Sequence, residues 1–126
     1  MALLSQDNII PGNQSLKKYF SRSAVPQLFI DPHMILKSFT SPAEDLFCIS
    51  SEDIGKSLFG LKNKIKLSAL IKSIRCVLHV ETTQKKLIHF NGKLRKMIVQ
   101  PYFNDQDERI LGVIVTFLDF SEQAEQ

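Results

Sequence analysis

The side chains that could hold a metal ion or attack a substrate are few in this sequence, and their spacing matches no known type of site. Cys48 and Cys76 form neither a CxxC pair nor a Cys/His set with zinc spacing. Each lies among apolar residues, as a buried structural thiol does. The three histidines, His33, His79 and His89, also lack the spacing of metal ligands. The sequence therefore predicts neither a disulfide framework nor a metal centre.

The acidic residues that could serve in acid–base catalysis are not paired by any motif. Glu44 ends Ser41-Pro42-Ala43-Glu44, which predicts a capping box at the start of a helix. Asp53 ends a second capped turn, which Gly55 stops. Asp119 closes the last apolar segment of the chain. An enzyme should bring titratable groups together in a polar pocket, and the apolar faces of the strands carry almost no titratable groups.

The composition is that of an ordinary soluble domain. The chain has 126 residues, 44% of them hydrophobic and 23% charged, with a formal net charge of +3. Two basic clusters, Lys62/Lys64/Lys66 and Lys93/Arg95/Lys96, are interpreted as solvated surface, because a nucleic-acid site needs a more lopsided charge. Neither a signal peptide nor a stretch of membrane-spanning length is present, so we expect a cytoplasmic protein without membrane insertion.

The last strong segment, Arg109 to Ser121, organises the predicted fold. Branched and aromatic side chains dominate it, which favours a strand. With a period of two, both faces are apolar: Leu111, Val113, Val115 and Phe117 on one, and Ile110, Ile114, Leu118 and Phe120 on the other. A strand with one side in water would alternate with polar residues. We therefore expect this strand in the middle of a sheet that is covered on both sides.

The first half of the chain predicts a loose arm, a hairpin and short helices. Residues 1–14 show no periodicity, and a short helix from Ser15 places Leu16, Tyr19 and Phe20 where they could cover one face of the last strand. Residues 27–31 and 34–40 predict two strands joined by a turn. The two capped turns follow, and apolar residues at helical spacing from Leu67 to Leu78 then predict one longer amphipathic helix.

The second half predicts three antiparallel strands. Residues 86–90 and 93–100 form a hairpin around Asn91-Gly92, a dipeptide whose residues readily adopt the positive φ of a tight turn. Pro101 suits a strand end or a bulge better than a central position. A polar loop, residues 104–108, returns the chain to the final strand. The result is an α+β fold with five strands and with its helices between the second and third strands.

This order of elements, with its loop positions, resembles a PAS domain over residues 16–122. Residues 27–31 resemble the opening strand of the family, and residues 39–47 resemble the helix start that follows it. Asp53-Ile54-Gly55-Lys56 resembles the family's Asp-hydrophobic-Gly-basic turn. Residues 111–121 resemble the closing strand and its Asp-Ile-Thr motif, with Phe120-Ser121 in place of Ile-Thr. The subtype that it resembles most is the PAS segment of chemotaxis-like methylesterase/methyltransferase fusion and sensor proteins.

The resemblance implies the strand order two-one-five-four-three and a division of the chain into three parts. Residues 1–14 are the flexible N-terminal arm, residues 15–122 are the domain, and residues 123–126 begin a C-terminal linker. Asp119, Phe120 and Ser121 are the implied signal-coupling residues at the exit of the last strand. We expect a core or small cavity lined by Phe29, Phe39, Leu46, Phe47, Leu58, Ile74, Met97, Val99, Val115 and Phe117.

The implied function is that of a non-catalytic sensory or interaction module in a bacterial signalling protein. Haem-binding members carry an axial histidine on the long helix, where His79 is the only candidate, and no second feature supports it. Flavin photosensors carry a reactive cysteine after the glycine turn, and Gly55-Lys56-Ser57-Leu58-Phe59 has none. Haem and flavin are therefore disfavoured, and no cofactor is expected.

The partners expected from the sequence are a second copy of the chain, an effector domain of a parent protein and a small apolar ligand. The homodimer is expected because the second apolar face of the last strand is only partly covered by the N-terminal helix. Two other functions stay open from the residues alone. One is a small enzyme with a curved α+β sheet, and the other is a purely structural dimerisation domain with a filled core.

Overall fold

Five antiparallel strands form one sheet in the computed structural model, which describes residues 24–61 and 63–119. In chain order the elements are β1 (Gln27–Ile30), β2 (Leu36–Phe39), α1 (Ser41–Phe47), α2 (Ser68–Val80), β3 (Gln84–Phe90), β4 (Lys93–Phe103) and β5 (Ile110–Asp119). Two short 3₁₀ turns, Ser51–Asp53 and Leu58–Leu61, lie between α1 and α2. The strand order is β2-β1-β5-β4-β3, so the predicted order is confirmed.

Several predicted features lie outside the described residues. These are the N-terminal arm, the helix expected from Ser15 with Leu16, Tyr19 and Phe20, the signal-coupling residues Phe120 and Ser121, and the linker of residues 123–126.

The last strand, β5, is the central strand of the sheet. It pairs with β1 from Gln27↔Thr116 to Ile30↔Val113, and with β4 along nearly its whole length. Val113 and Val115 are fully buried toward the helices, and Ile114 is buried toward the opposite face. The expectation of a mid-sheet strand with two apolar faces is confirmed.

The main core lies between the sheet and the helices, with Phe47 of α1 near its centre. The Phe47 ring lies 5.1 Å from the rings of both Phe90 and Phe117, measured between centroids. Burial of a large apolar side chain stabilises a fold by about 1.5–3 kcal/mol. The helices and the sheet are held together by a set of such side chains, among them Leu28, Ile30, Leu36, Leu70, Ile74, Val77, Met97, Val99, Val113 and Val115.

Phe29 faces the other side of the sheet, so its predicted place in the core was wrong. Its ring meets Tyr102 edge-on at 5.5 Å and packs beside Ile114. The register explains the error. Leu28 pairs with Val115, and both point toward the helices, so the side chain of Phe29 must point away from them.

The start of α1 also differs from the prediction. Thr40, not Ser41, is the N-cap residue, and no side chain caps the helix. The Thr40 hydroxyl instead accepts a hydrogen bond from the Gln27 amide (2.9 Å) and donates one to the Val25 carbonyl (2.8 Å), which ties α1 to the start of β1. With Thr40 as N-cap, the third helical position is Ala43, so Glu44 cannot complete a capping box.

The end of α1 places Cys48 differently from the prediction. Cys48 adopts a left-handed conformation (φ 55°) at the C-cap and is exposed, so it is not the buried thiol expected from its apolar neighbours. The second predicted capped turn is present: the Ser50 amide donates to the Asp53 carboxylate at 3.0 Å.

The β3–β4 hairpin confirms the predicted turn and corrects one strand end. Asn91 and Gly92 both have positive φ, 53° and 74°. β4 continues through Pro101 to Phe103, three residues beyond the prediction. Pairing with β3 ends at Val99, so Pro101 lies where β4 has a neighbouring strand only on the β5 side. Proline is tolerated at such an edge because no ladder hydrogen bond is lost there.

Gly112 of β5 lies where β1 and β5 approach closely, and its replacement by Ala should destabilise the fold by about 1–3 kcal/mol. A Cβ atom there would overlap the Ile30 carbonyl oxygen and lie 3.0 Å from the Phe29 ring, and the φ of Gly112 is +150°. Gly60→Ala is the matched control, because a Cβ at Gly60 meets no heavy atom within 4 Å. Denaturant midpoints measure the difference, and equal midpoints for the two variants would contradict the close contact.

Candidate functional site

The end of β5 carries an ion-pair cluster formed by Asp119, Arg95 and Lys93, here called the β5-end cluster. Asp119 accepts a hydrogen bond from Arg95 Nη1 at 3.3 Å, and its second oxygen lies 3.6 Å from Lys93 Nζ. The sheet register places Arg95 directly opposite Asp119 on β4, which brings the two side chains together. Two members of the basic cluster Lys93/Arg95/Lys96 are therefore partners of Asp119.

Arg95 connects the end of β5 to the β3–β4 hairpin. Its Nε atom donates to the Phe90 carbonyl at 3.3 Å, and its side chain is only 12% exposed. The Phe90 ring packs on Phe47, and Asn91 Nδ2 donates to the Leu46 carbonyl at 3.3 Å. Contacts therefore run from α1 through the hairpin to Asp119.

The β5-end cluster fixes geometry more than it adds stability. The Asp119 side chain is 30% exposed and that of Lys93 is 62% exposed. Ion pairs in contact with solvent contribute about 0.2–1 kcal/mol and weaken with added salt. Such a pair can form and break at small cost, which suits a group that has to change partners.

A second acidic residue, Asp53, is buried and has three donors. Its carboxylate accepts hydrogen bonds from Lys64 Nζ at 2.8 Å, from the Ser50 amide at 3.0 Å and from Lys56 Nζ at 3.3 Å. The hydrogen bond from Lys64, with that from Ser50, lowers the pKa of Asp53 from 3.8 to about 2. Asp53 thereby ties the first 3₁₀ turn to the loop that precedes α2. The sequence predicted the turn but not Lys64 as a partner.

An apolar cleft of about 290 Å³ lies between the second 3₁₀ turn and the start of α2. Five of its lining residues are aliphatic, and Lys66 and Ser68 are polar; the aliphatic ones are Leu58, Ile65, Leu67, Leu70 and Ile71. All seven come from residues 58–71, and none comes from the sheet. The binding chemistry that this cleft offers is an apolar surface with one ammonium group and one hydroxyl.

Of the ten residues predicted to line the interior, only Leu58 lines this cleft. Six fully or almost fully buried side chains belong to the main core with it: Phe47, Ile74, Met97, Val99, Val115 and Phe117. Phe39 and Leu46 are partly buried and pack against that core, and Phe29 lies on the opposite face. The other cleft residues were missed. Ile65 and Lys66 lie in the irregular stretch before α2, whose pattern assigns no face. Leu67, Leu70 and Ile71 belong to the predicted amphipathic helix, whose spacing indicated burial but not a cleft.

The candidate metal ligands remain apart. His79 is exposed in the last turn of α2. Among residues 24–61 and 63–119, no three His, Cys, Asp or Glu side chains are grouped so that they could hold a metal ion.

The comparisons with known proteins agree with this architecture. A family model described as PAS domain matches residues 16–121, most of the chain. The chain belongs to the PAS-domain family. PAS domains are generally non-catalytic sensory modules.

Solved PAS structures share this fold at low sequence identity. The PAS domain of the histidine kinase ThkA matches with a TM-score of 0.67 and 18% identity, covering 75% of this chain and 98% of that one. A sensory box sensor histidine kinase from Vibrio cholerae matches with a TM-score of 0.65 and 15% identity, covering 84% and 90%. These similarities concern the fold.

One curated relative comes from Rhodobacter capsulatus, a 104.1 kDa uncharacterized protein of the hypE 3′ region. It is 25% identical over 111 residues, which are 87% of this chain and 12% of that protein. The PAS domain described here thus spans about an eighth of the length of the curated relative that it matches. Among the described residues, no helix is long and apolar enough to cross a membrane.

The buried Asp53 predicts a loss of stability in acid. Its pKa is lower in the folded chain than the ordinary value of 3.8, so the unfolded chain takes up a proton first as the pH falls. The stabilisation is therefore present above about pH 4 and is lost as the pH falls toward 2. Asp53→Asn should lower the free energy of unfolding at pH 7 and flatten its decline between pH 4 and 2.

Glu52→Gln is the matched control, because Glu52 is the exposed neighbouring acid in the same turn. Urea unfolding at several pH values measures the effect. An Asp53→Asn chain with the pH profile of the wild type would contradict the assignment.

Proposed function

We propose that this PAS domain is a non-catalytic sensory and interaction module of a bacterial signal-transduction protein in the cytoplasm. It would pass the binding of a ligand or partner through β5 to an effector domain of a longer parent protein. The observation that carries the proposal is the position of Asp119. It ends the central strand of the sheet, which carries buried apolar side chains on both faces, and Arg95 holds it there.

The contacts around Phe47 supply a path for the signal. The Phe47 ring touches Phe117, two residues before Asp119 on β5. It also touches Phe90, whose carbonyl accepts the hydrogen bond from Arg95. A displacement of α1 would therefore act on the end of β5 by two routes. One runs along the strand from Phe117, and the other runs through Phe90 and Arg95 to Asp119.

Signalling through this end needs two arrangements of similar free energy, biased by a ligand or partner. The partly exposed ion pair supports that requirement, because solvent can replace Arg95 at Asp119 at a cost of about 1 kcal/mol. Phe120 and Ser121 would carry the movement onward as the next residues of the chain.

The parent protein is proposed to have several domains. The matched relative from Rhodobacter capsulatus is far longer than this chain, which supports a PAS segment within a larger protein. The helix start at residues 40–44 and the Asp53-Ile54-Gly55 turn favour a chemotaxis-like methylesterase/methyltransferase fusion as the parent. That assignment stays a prediction.

A homodimer through the outer face of the sheet is part of the proposal. Leu87 on β3 is 51% exposed, and the register places it across Lys96 from the half-buried Leu118 of β5. Apolar side chains gathered on one face favour an interface. Light scattering at high micromolar concentration should return twice the monomer mass.

Leu87→Ser should shift this equilibrium toward the monomer, because it removes apolar area from the outer face. Phe59→Ser is the matched control, since Phe59 is 45% exposed on the second 3₁₀ turn, outside the sheet. A monomer mass for the wild-type chain would exclude the dimer.

Asp119→Ala tests the coupling directly. The variant should keep the fold and the dimer, with a change of about 1 kcal/mol or less in unfolding free energy, because the ion pair is partly exposed. In the parent protein, however, output should no longer respond to the input. Asp45→Ala, which removes an exposed carboxylate from α1, is the control and should leave regulation unchanged. Normal regulated output from a well-folded Asp119→Ala protein would refute the coupling role.

A further inference from the structure

We propose that the apolar cleft before α2 binds a small anionic amphiphile, a carboxylate with a short alkyl chain. This ligand class deepens the proposed sensory role and, as a physiological signal, rests on it. The cleft borders the main core, whose sheet side is filled by Phe47, Phe117 and their neighbours. Its space is bounded by the second 3₁₀ turn, the loop after it and the first turn of α2.

The walls select an alkyl chain. Leu58, Ile65 and Leu70 are 7% exposed or less and form the floor, and Leu67 and Ile71 are half-buried. An apolar cavity with so few polar partners holds water poorly and favours hydrocarbon. The volume of about 290 Å³ is at the lower end of the range for ligand pockets, roughly 300–1,000 Å³, so the ligand must be small.

The charge of the cleft selects an anion. Among the described residues, Lys66 is the only charged one in its lining, and none of the lining residues is acidic. Within residues 24–61 and 63–119, Lys66 forms no ion pair, whereas Lys56 and Lys64 are both engaged with Asp53. The first turn of α2 contains no acidic residue, and Leu67 at its N-cap offers no capping side chain. A carboxylate head would therefore meet an ammonium group and the positive end of a helix.

The segments on the two sides of the cleft each have local contacts that fix them. On one side, the amides of Lys64 and Ile65 donate to the Leu61 carbonyl at 2.9 and 2.8 Å, and Asp53 anchors the Lys64 side chain. On the other, Arg75 of α2 lies 5.8 Å from the centre of the Phe59 ring. A preformed cleft loses little conformational entropy on binding.

Occupation of the cleft would act on the core. Leu58, Ile65 and Leu70 belong to the same continuous buried cluster as Val113 and Val115 of β5. Closely packed side chains transmit a displacement rather than absorb it. The ligand would thus press on the strand whose end carries Asp119.

Binding can be tested with octanoate, octanol and acetate as probes of the 126-residue chain, followed by methyl NMR. Octanoate should shift the methyl signals of Ile65, Leu67 and Ile71 saturably, and acetate should shift none. Octanol should bind more weakly because it lacks the charge. Saturable shifts that spare Ile65, Leu67 and Ile71, or equal affinities for octanoate and octanol, would overturn the proposal.

Two variants test separately the binding of the carboxylate head group and the binding of the alkyl chain. Lys66→Gln should weaken octanoate binding roughly 1.5- to fivefold, the range expected of a solvent-exposed ion pair, and leave octanol unchanged. Lys72→Gln, on an exposed position of α2 outside the cleft, is the matched control and should change neither. Ser68→Phe should fill the cleft and abolish binding of both probes. Unchanged octanoate affinity in Lys66→Gln would refute the anion site, even if Ser68→Phe does not fold.

The experiments distinguish a wrong ligand assignment from a wrong signalling role. If octanoate does not bind while Asp119→Ala uncouples the parent protein, the ligand assignment is wrong and the module remains. If octanoate binds in the cleft while Asp119→Ala leaves regulation intact, the coupling through β5 is wrong and the site remains.

Discussion

Burying both faces of β5 imposes the architecture of this PAS domain. The strand carries Val113, Val115 and Phe117 toward the helices and Ile114 away from them, so water must be excluded on two sides. Its neighbours β1 and β4 satisfy its backbone, and α1 and α2 cover one face. The small side-chain volume at Gly112 lets β1 approach closely enough for this packing. A strand so confined cannot shift without moving what touches it.

Two carboxylates with basic partners differ in burial, and the proposed coupling role falls on the more exposed one. Asp53 is almost completely buried with its three donors, and its lowered pKa shows how strongly the fold favours the charged form. Asp119 has two basic partners but is nearly one-third exposed. The first arrangement fixes a turn, and the second can exchange partners with solvent. The difference in burial is thus the physical reason for assigning coupling to Asp119.

The central strand and the sheet order could be predicted, because two apolar faces leave few positions for a strand and the motifs around them resemble a PAS domain. The face of Phe29 could not be predicted. All four residues of β1 are buried, so alternation gave no sign of which side the helices cover. The N-cap of α1 is Thr40 and not the predicted Ser41. Both residues carry a hydroxyl, and the contact of Thr40 with Gln27, which is distant in the chain, distinguishes them.

The cleft was missed for a related reason. Part of its lining, Leu58, Ile65 and Lys66, lies in an irregular stretch, where no period assigns a face. The rest lies at the start of α2, and helical spacing predicts its burial without showing how that stretch packs beside it. Leu58 was predicted to be interior from its apolar character alone. The local sequence pattern therefore predicted the helices and strands, whereas contacts between residues distant in the chain determine the cleft.

The central claim is that a change at α1 reaches Asp119 through Phe117 and through Arg95. The most direct test replaces Phe47 by Leu and compares backbone amide chemical shifts with those of the wild type. Shifts beyond α1 should concentrate at Phe90 and at Phe117 to Asp119, and Arg95→Gln should diminish the response of Asp119. Shifts that stay within α1, or that reach the edge strand β2 as strongly as the end of β5, would contradict the claim.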